Sequence, residues 1–209
     1  GDFTNALKNV NIALRKNPHT PSFVILKANL YFAAGRVQDA FDWLASASSL
    51  QKKPDVGLFY VQHLIRDQQE TLALTQIETL LKKWPEHEQL RFLAGITNIE
   101  LKNFERAEYH LKHLLNSENY QDQANYYLAV NAERKQNYTE AIELYKATDG
   151  NFYTVSRKKL VSLYLAQNNA ADAIRLLTQE RISHPHQASF LYQLQAQVLK
   201  QTHQITQAI

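Results

Sequence analysis

Two histidines and a carboxylate lie close together near the middle of the chain, at His110, His113 and Glu108. On an α-helix, residues three positions apart share one face, and two imidazoles with a carboxylate are ligands that zinc accepts. No further protein ligand that would complete a zinc site can be recognised around them. A polar helix surface accounts for the three residues more simply, so we expect no metal site here.

Other patterns that indicate catalysis are missing from the sequence. It contains no Gly-rich phosphate loop, no Gly-x-Ser-x-Gly motif and no His-Glu-x-x-His motif. It contains no cysteine, which excludes disulfides, thiolate catalysis and cysteine metal sites and is compatible with either the cytoplasm or the periplasm. His184 and His186 flank Pro185 and are interpreted as loop residues. We therefore expect no enzymatic activity and no cofactor.

Charge and hydropathy exclude two further classes of partner. The 209 residues include 23 Lys and Arg and 20 Asp and Glu, a net charge of +3. This excess is too small to indicate nucleic-acid binding, which needs clustered phosphate contacts. No apolar run approaches the roughly 18 residues of a membrane span, so we expect no direct membrane insertion of this fragment.

An alanine recurs along the whole chain, with successive members 32 to 35 residues apart. Its members are Ala6, Ala40, Ala73, Ala107, Ala141, Ala173 and Ala208. Twelve residues before each alanine from the second onward lies a small or β-branched residue, and these are Ala28, Val61, Gly95, Ala129, Val161 and Ala196. Small side chains let two helix axes approach to about 8–10 Å, and a period of this length is typical of helical repeats.

Proline and turn residues divide each period into two helices. Pro18, Pro54, Pro85 and Pro185 follow the alanines at a similar distance, with Asn119 and Tyr153 in the two remaining units. Proline cannot continue a helix, so it indicates the loop between units. Within the units, Gly and Asn residues that tolerate a left-handed backbone occur in the segments Ala34-Gly35-Arg36, Leu101-Lys102-Asn103, Lys135-Gln136-Asn137 and Gln167-Asn168-Asn169. Each unit is therefore predicted to be helix A, a turn, helix B and a loop.

The pattern resembles the tetratricopeptide repeat family over the whole chain. The small-to-aromatic spacing from Ala28 to Tyr31, the turn residue Gly35, the helix-B Ala40 and the prolines Pro18, Pro85 and Pro185 carry the resemblance. The third unit departs from it, with Gln68-Gln69 where a Gly-Asp-like turn is usual. The resemblance implies an all-α fold, a right-handed superhelical α-solenoid of about six antiparallel helix pairs.

The units are expected to form one array over residues 1–209. Their approximate bounds are 1–19 (helix B only), 20–53, 54–86, 87–120, 121–152, 153–186 and 187–209 (partial). The chain begins with Gly1 at the turn before a helix B and ends as another helix B starts at Thr206. We therefore expect a fragment that is truncated at both ends.

In an array of this kind, the resemblance implies that the A helices line a concave groove. The groove candidates are Asn29, Phe59, Gln62, Phe92, Leu93, Tyr126, Tyr127, Lys158, Lys159 and Tyr192. About half of the apolar members are expected only to pack between repeats. Tyr126 and Tyr127 are better candidates because a phenol hydroxyl needs a hydrogen-bond partner or water. Lys158 and Lys159 are predicted to form a basic patch that could bind an acidic group.

These patterns favour a scaffold that binds a peptide or a helix of another protein, in a bacterial assembly or envelope-biogenesis complex. One alternative is a recruiting or regulatory arm of a larger enzyme or export channel. A second alternative is self-association into homo-oligomers. The sequence fixes neither the partner nor the compartment.

Overall fold

Helices are the regular secondary structure of the chain in the computed structural model, which describes residues 2–49 and 51–202. The helices are α1 (Phe3–Lys16), α2 (Pro21–Ala33), α3 (Val37–Ser48), α4 (Asp55–Arg66), α5 (Glu70–Lys83), α6 (Glu88–Glu100), α7 (Phe104–Lys112), α8 (Gln121–Arg134), α9 (Tyr138–Lys146), α10 (Tyr153–Ala166), α11 (Ala170–Ser183) and α12 (Ala188–Gln201). Short 3₁₀ turns precede α10 and α12. No strand occurs within these residues, so the predicted all-α class is confirmed.

The chain divides into two compact units, residues 1–107 and residues 108–209. In the first unit each helix from α1 to α6 packs against the next, and α2 also packs against α4. In the second unit the same holds from α8 to α12, and α10 also packs against α12. The even-numbered helices are the predicted A helices, so each unit contains paired A and B helices and contacts between neighbouring A helices.

Most of the alanine series is buried within the helix packing. Its five central members are fully buried, and they are Ala40, Ala73, Ala107, Ala141 and Ala173. Ala28, Val61, Gly95, Ala129 and Val161 of the second series are also buried. Ala6 and Ala196 are half-buried, and Ala208 lies outside the described residues. The period in the sequence therefore reflects a repeated need for small side chains between packed helices.

The turns between helix A and helix B share one backbone geometry. In each of them a residue has a left-handed φ of 56° to 72°, and these residues are Gly35, Gln68, Lys102, Gln136 and Asn168. The next residue donates its backbone N–H to a carbonyl five residues earlier, as in Arg36 to Tyr31 at 2.9 Å and Gln69 to Leu64 at 2.9 Å. This pairing is the Schellman motif, which satisfies the last carbonyls of a helix.

A buried arginine connects three helices of the second unit. Arg157 on α10 is 3% exposed and donates to the carbonyl oxygens of Tyr145 and Thr148 at 3.0 and 2.7 Å. It also pairs with the carboxylate of Glu180 on α11 at 3.0 Å, and that carboxylate accepts the Tyr153 hydroxyl at 2.9 Å. Hydrogen bonds of this kind offset the cost of burying the charge. Arg157 thus connects α10 to the end of α9 and to α11.

Candidate peptide-binding groove

In the first unit, the predicted groove residues differ in their exposure. Asn29 on α2 and Gln62 on α4 are exposed, whereas Phe59 on α4 and Phe92 on α6 are half-buried. Leu93 is 8% exposed and belongs to the hydrophobic cluster of α4, α5 and α6. The polar candidates are therefore open to solvent, and the apolar ones contribute wholly or partly to packing.

A histidine between two phenylalanines connects α2 and α4. The His63 ring stacks on Phe32 with 4.5 Å between the ring centroids, and it lies 4.1 Å from Phe59. Its Nδ1 lies 2.9 Å from the carbonyl oxygen of Phe59 and therefore donates the hydrogen bond. Burial lowers the pKa of His63, and the nearby Arg66 charge lowers it further. Sequence analysis missed Phe32 and His63, although His63 directly follows the candidate Gln62.

In the second unit, the two candidate tyrosines belong to an aromatic cluster. The ring of Tyr126 lies 4.9 Å from that of Phe152, 5.2 Å from that of Tyr127 and 5.8 Å from that of Tyr145. Both candidates are half-buried, and burial raises the pKa of Tyr126. Much of their surface is therefore used to pack α8 against its neighbours.

The two adjacent lysines of α10 have different environments. Lys159 Nζ lies 3.1 Å from both carboxylate oxygens of Glu133 on α8, and Glu133 also accepts the buried Tyr145 hydroxyl at 2.6 Å. Lys158 is exposed, and its Nζ lies 5.9 Å from the Phe190 ring centroid. No carboxylate pairs with Lys158 in the described part of the chain. Only Lys158 of the pair is therefore free to bind an acidic group.

A cavity of 440 Å³ lies between the A helices α10 and α12, beside Lys158. It is lined by Lys158, Val161, Ser162, Leu165, Leu194, Gln197 and Gln201. Aliphatic side chains thus adjoin one cation, one hydroxyl and two amides. Such a surface offers an apolar contact together with donors and acceptors for a peptide backbone. The glutamines were not among the predicted groove residues, but they lie four residues apart and so share one face of α12.

The last predicted groove residue, Tyr192, is also on α12. Its side chain is 60% exposed, and the Arg181 guanidinium lies 4.3 Å from its ring centroid. A large exposed aromatic side chain of this kind is common at protein-binding surfaces. Tyr192 is the most exposed aromatic candidate of the second unit.

His113, which directly follows α7, and Glu108 within α7 make local contacts. His113 Nδ1 lies 2.7 Å from the carbonyl oxygen of Tyr109. Glu108 pairs with Lys112 at 2.6 Å, and this hydrogen bond holds the pKa of Glu108 below its usual value. Across residues 2–49 and 51–202, no three His, Asp or Glu side chains are grouped to hold a metal ion. None of the described helices has the length and apolar character needed to cross a membrane.

Comparison with known proteins finds a matching repeat family and similar solved structures. Residues 1–54 match the tetratricopeptide repeat family model. A tetratricopeptide repeat protein from Parabacteroides merdae is similar in structure, with 20% identity, a TM-score of 0.64, and coverage of 97% of this chain and 81% of that one. Among curated proteins, no sequence match to the chain was found.

Two further structures share the fold at low identity. YrrB, described as a tetratricopeptide protein with an unusual peptide-binding site, is 18% identical with a TM-score of 0.56, covering 69% of this chain and 75% of that one. MamA from Desulfovibrio magneticus is 16% identical with a TM-score of 0.54, covering 80% of this chain and 88% of that one. At these identities, the likeness establishes the fold.

Proposed function

Since the chain is built of tetratricopeptide repeats, we propose that it is a non-catalytic protein-interaction scaffold that binds a peptide segment on its A helices. The observation that carries this proposal is the cavity between α10 and α12, with an unpaired Lys158 at its edge. The peptide-binding site named for YrrB supports it by analogy of fold. The bacterial sources of two similar structures support a role in a bacterial assembly or envelope-biogenesis complex.

The lining of the cavity suits an extended peptide with an acidic residue. Val161, Leu165 and Leu194 would contact an apolar side chain of the peptide. The amides of Gln197 and Gln201 both donate and accept, so they can pair with the N–H and C=O groups of a peptide backbone. Lys158 would then pair with a carboxylate. Tyr192, on the same helix, is an exposed aromatic contact at the side of this surface.

Selection from a library of random twelve-residue peptides tests the proposal without knowledge of the natural partner. Selected peptides are synthesised and their affinity is measured by isothermal titration calorimetry. We expect Lys158→Glu to weaken the binding of acidic peptides about tenfold or more, because it replaces attraction by repulsion. Tyr192→Ala is expected to weaken it by a smaller factor.

The matched control is Lys82→Glu on α5, an exposed lysine on a predicted B helix. It makes the same change in net charge as Lys158→Glu, so an equal loss of affinity would show only long-range electrostatics. Circular dichroism verifies that each variant keeps its helical content. Failure to select any peptide, or selected peptides that bind wild type and Lys158→Glu equally well, would contradict the proposal.

A further inference from the structure

One residue of α2 departs from the repeat in a way that the fold does not require. The residue directly before each small helix-A residue is buried and uncharged in four units, where it is Tyr60, Ala94, Leu128 or Leu160, each at most 4% exposed. In the other two units this residue is polar and half-buried: it is Gln195 before Ala196 and Lys27 before Ala28. Lys27 is the one charged residue among the six. Placing an ammonium group at a core position is costly, and such local departures are expected at functional sites.

The ammonium group of Lys27 is placed against an aromatic face. Its Nζ lies 4.0 Å from the centroid of the Trp43 ring on α3 and 5.9 Å from that of Tyr31. Trp43 is held in position because its indole N–H donates to the carbonyl oxygen of Val24 at 3.0 Å. Burial lowers the pKa of Lys27, and no carboxylate pairs with Lys27 within the described residues. The cation–π contact therefore only partly replaces the lost water.

A cavity of 340 Å³ opens beside this lysine, between α1, α2 and α3. It is lined by Asn11, Leu14, Arg15, Pro18, Lys27 and Trp43. Arg15 lies in the last turn of α1, is exposed, and has no ion pair in the described part of the chain. The cavity thus presents two unpaired cations, one on α1 and one on α2, with aliphatic and indole surface between them.

We propose that this cavity is a second docking site, which binds an acidic side chain of a protein partner together with an adjacent apolar side chain. The carboxylate would lie between Arg15 and Lys27, and the apolar side chain would pack on Leu14, Pro18 and Trp43. Charge complementarity carries this assignment, since both cations lack an anion. A phosphate-rich polymer is less well matched, because half of the lining is apolar. The site is lined by residues of α1, α2 and α3, so it shares no residue with the α10 and α12 surface of the proposed function.

The fluorescence of Trp43 can report binding directly. The chain has two tryptophans, so the Trp84→Phe variant leaves Trp43 as the single reporter. The probe is the peptide acetyl-Leu-Asp-Phe-Glu-amide, compared with acetyl-Leu-Asn-Phe-Gln-amide. We expect a saturable change in Trp43 emission with the acidic peptide, and an affinity for the neutral peptide that is at least about threefold weaker, in line with surface ion pairs.

Two variants separate a binding role from a structural one. Lys27→Met keeps the length of the side chain and removes the charge, and Arg15→Gln changes only an exposed residue. Both are expected to weaken the binding of the acidic peptide about threefold to fivefold. Lys82→Gln on α5, an exposed lysine that lines neither cavity, leaves the affinity unchanged. Thermal unfolding shows that the variants remain folded, and Lys27→Met is expected to raise the melting temperature.

Several outcomes would overturn the inference. These are the lack of a saturable emission change, equal responses to the two peptides, or unchanged affinity in both Lys27→Met and Arg15→Gln. Competition between inorganic phosphate and the acidic peptide provides a further test. If phosphate displaced the acidic peptide at concentrations equal to that of the peptide, the site would be a general anion site, and the assignment to a protein partner would be wrong.

Discussion

Buried and exposed arginines of the second unit form similar ion pairs but differ in their surroundings. Arg157 is 3% exposed, and it holds Glu180 and two backbone carbonyls. We expect Arg157→Ala to reduce the free energy of unfolding by about 3–5 kcal/mol, because it removes the buried cation that pairs with Glu180 and leaves two backbone carbonyls without their donor. Urea unfolding followed by circular dichroism measures the change.

The matched control is Arg175→Ala on the neighbouring helix. Arg175 pairs with Asp172 at 2.5 Å, but its side chain is 71% exposed. Exposed pairs contribute about 0–1 kcal/mol, so this variant should unfold within about 1 kcal/mol of wild type. If Arg157→Ala reduced the free energy of unfolding as little as Arg175→Ala does, the buried network of Arg157 would not be important for stability.

His63 gives the first unit a pH-dependent stability. Because burial between Phe32 and Phe59 lowers the pKa of His63, the folded state binds a proton less readily than the unfolded chain. The stability from neutral His63 is therefore fully present above the ordinary histidine pKa of about 6.5 and is lost as pH falls below it. We expect the melting temperature to fall between pH 7.5 and pH 5.5.

Substitution of single histidines identifies the group that is responsible for the pH dependence of the melting temperature. His63→Phe should reduce this pH dependence, since phenylalanine cannot bind a proton and keeps the aromatic contact. The exposed His113→Gln should leave the pH dependence as in wild type. A slope of melting temperature against pH that is the same in His63→Phe and in wild type would refute the role assigned to His63.

At the scale of the helical elements, the turns after the A helices contain a local strain. Gln68 follows α4 with φ of 58°, a conformation that costs a non-glycine residue about 1–2 kcal/mol. We expect Gln68→Gly to raise the free energy of unfolding by about 0.5–1 kcal/mol, measured by urea unfolding. The same change at Gln179, an exposed residue within α11, should instead reduce stability by about 1 kcal/mol.

The helices could be predicted from the sequence because their determinants are local. The alanine period, the prolines and the turn residues each report on one helix end or one close contact. The left-handed residue is neither Gly nor Asn in three turns, where it is Gln68, Lys102 or Gln136. Asn103 and Asn137 follow two of these residues and so still indicated their turns, whereas nothing in residue type revealed the turn at Gln68. The Schellman hydrogen bond from the Gln69 N–H to the Leu64 carbonyl offsets part of the cost of the left-handed backbone at Gln68.

The candidate groove was less predictable because its state depends on contacts between distant residues. Lys158 and Lys159 are neighbours in the sequence, yet only Lys159 meets Glu133, which lies 26 residues earlier. Tyr126 packs on Phe152, which no spacing rule connects to it. Helical periodicity predicts which face a residue lies on, but it does not identify the neighbour that covers that residue.

For the whole molecule, a repeat architecture implies that stability is local. Each helix packs mainly on the helices next to it in the chain, so the free energy is approximately a sum of neighbour interactions. We expect Arg157→Ala to increase amide hydrogen exchange in α9, α10 and α11. Exchange in α2 and α3, which belong to the first unit, should change little.

Hydrogen exchange read by mass spectrometry resolves the two regions. Peptides from residues 37–48 serve as the internal control for those from residues 153–166. Equal acceleration in both regions would show a single cooperative unfolding unit. That result would mean that the repeats are coupled more strongly than their nearest-neighbour contacts indicate.

The hydrogen bonds of Arg157 to Tyr145 and Thr148 also limit how the chain can change in length. An inserted or deleted residue between α9 and α10 would move one of these two carbonyls away from the guanidinium group. Natural insertions and engineered tags are therefore expected to be excluded from residues 147–149.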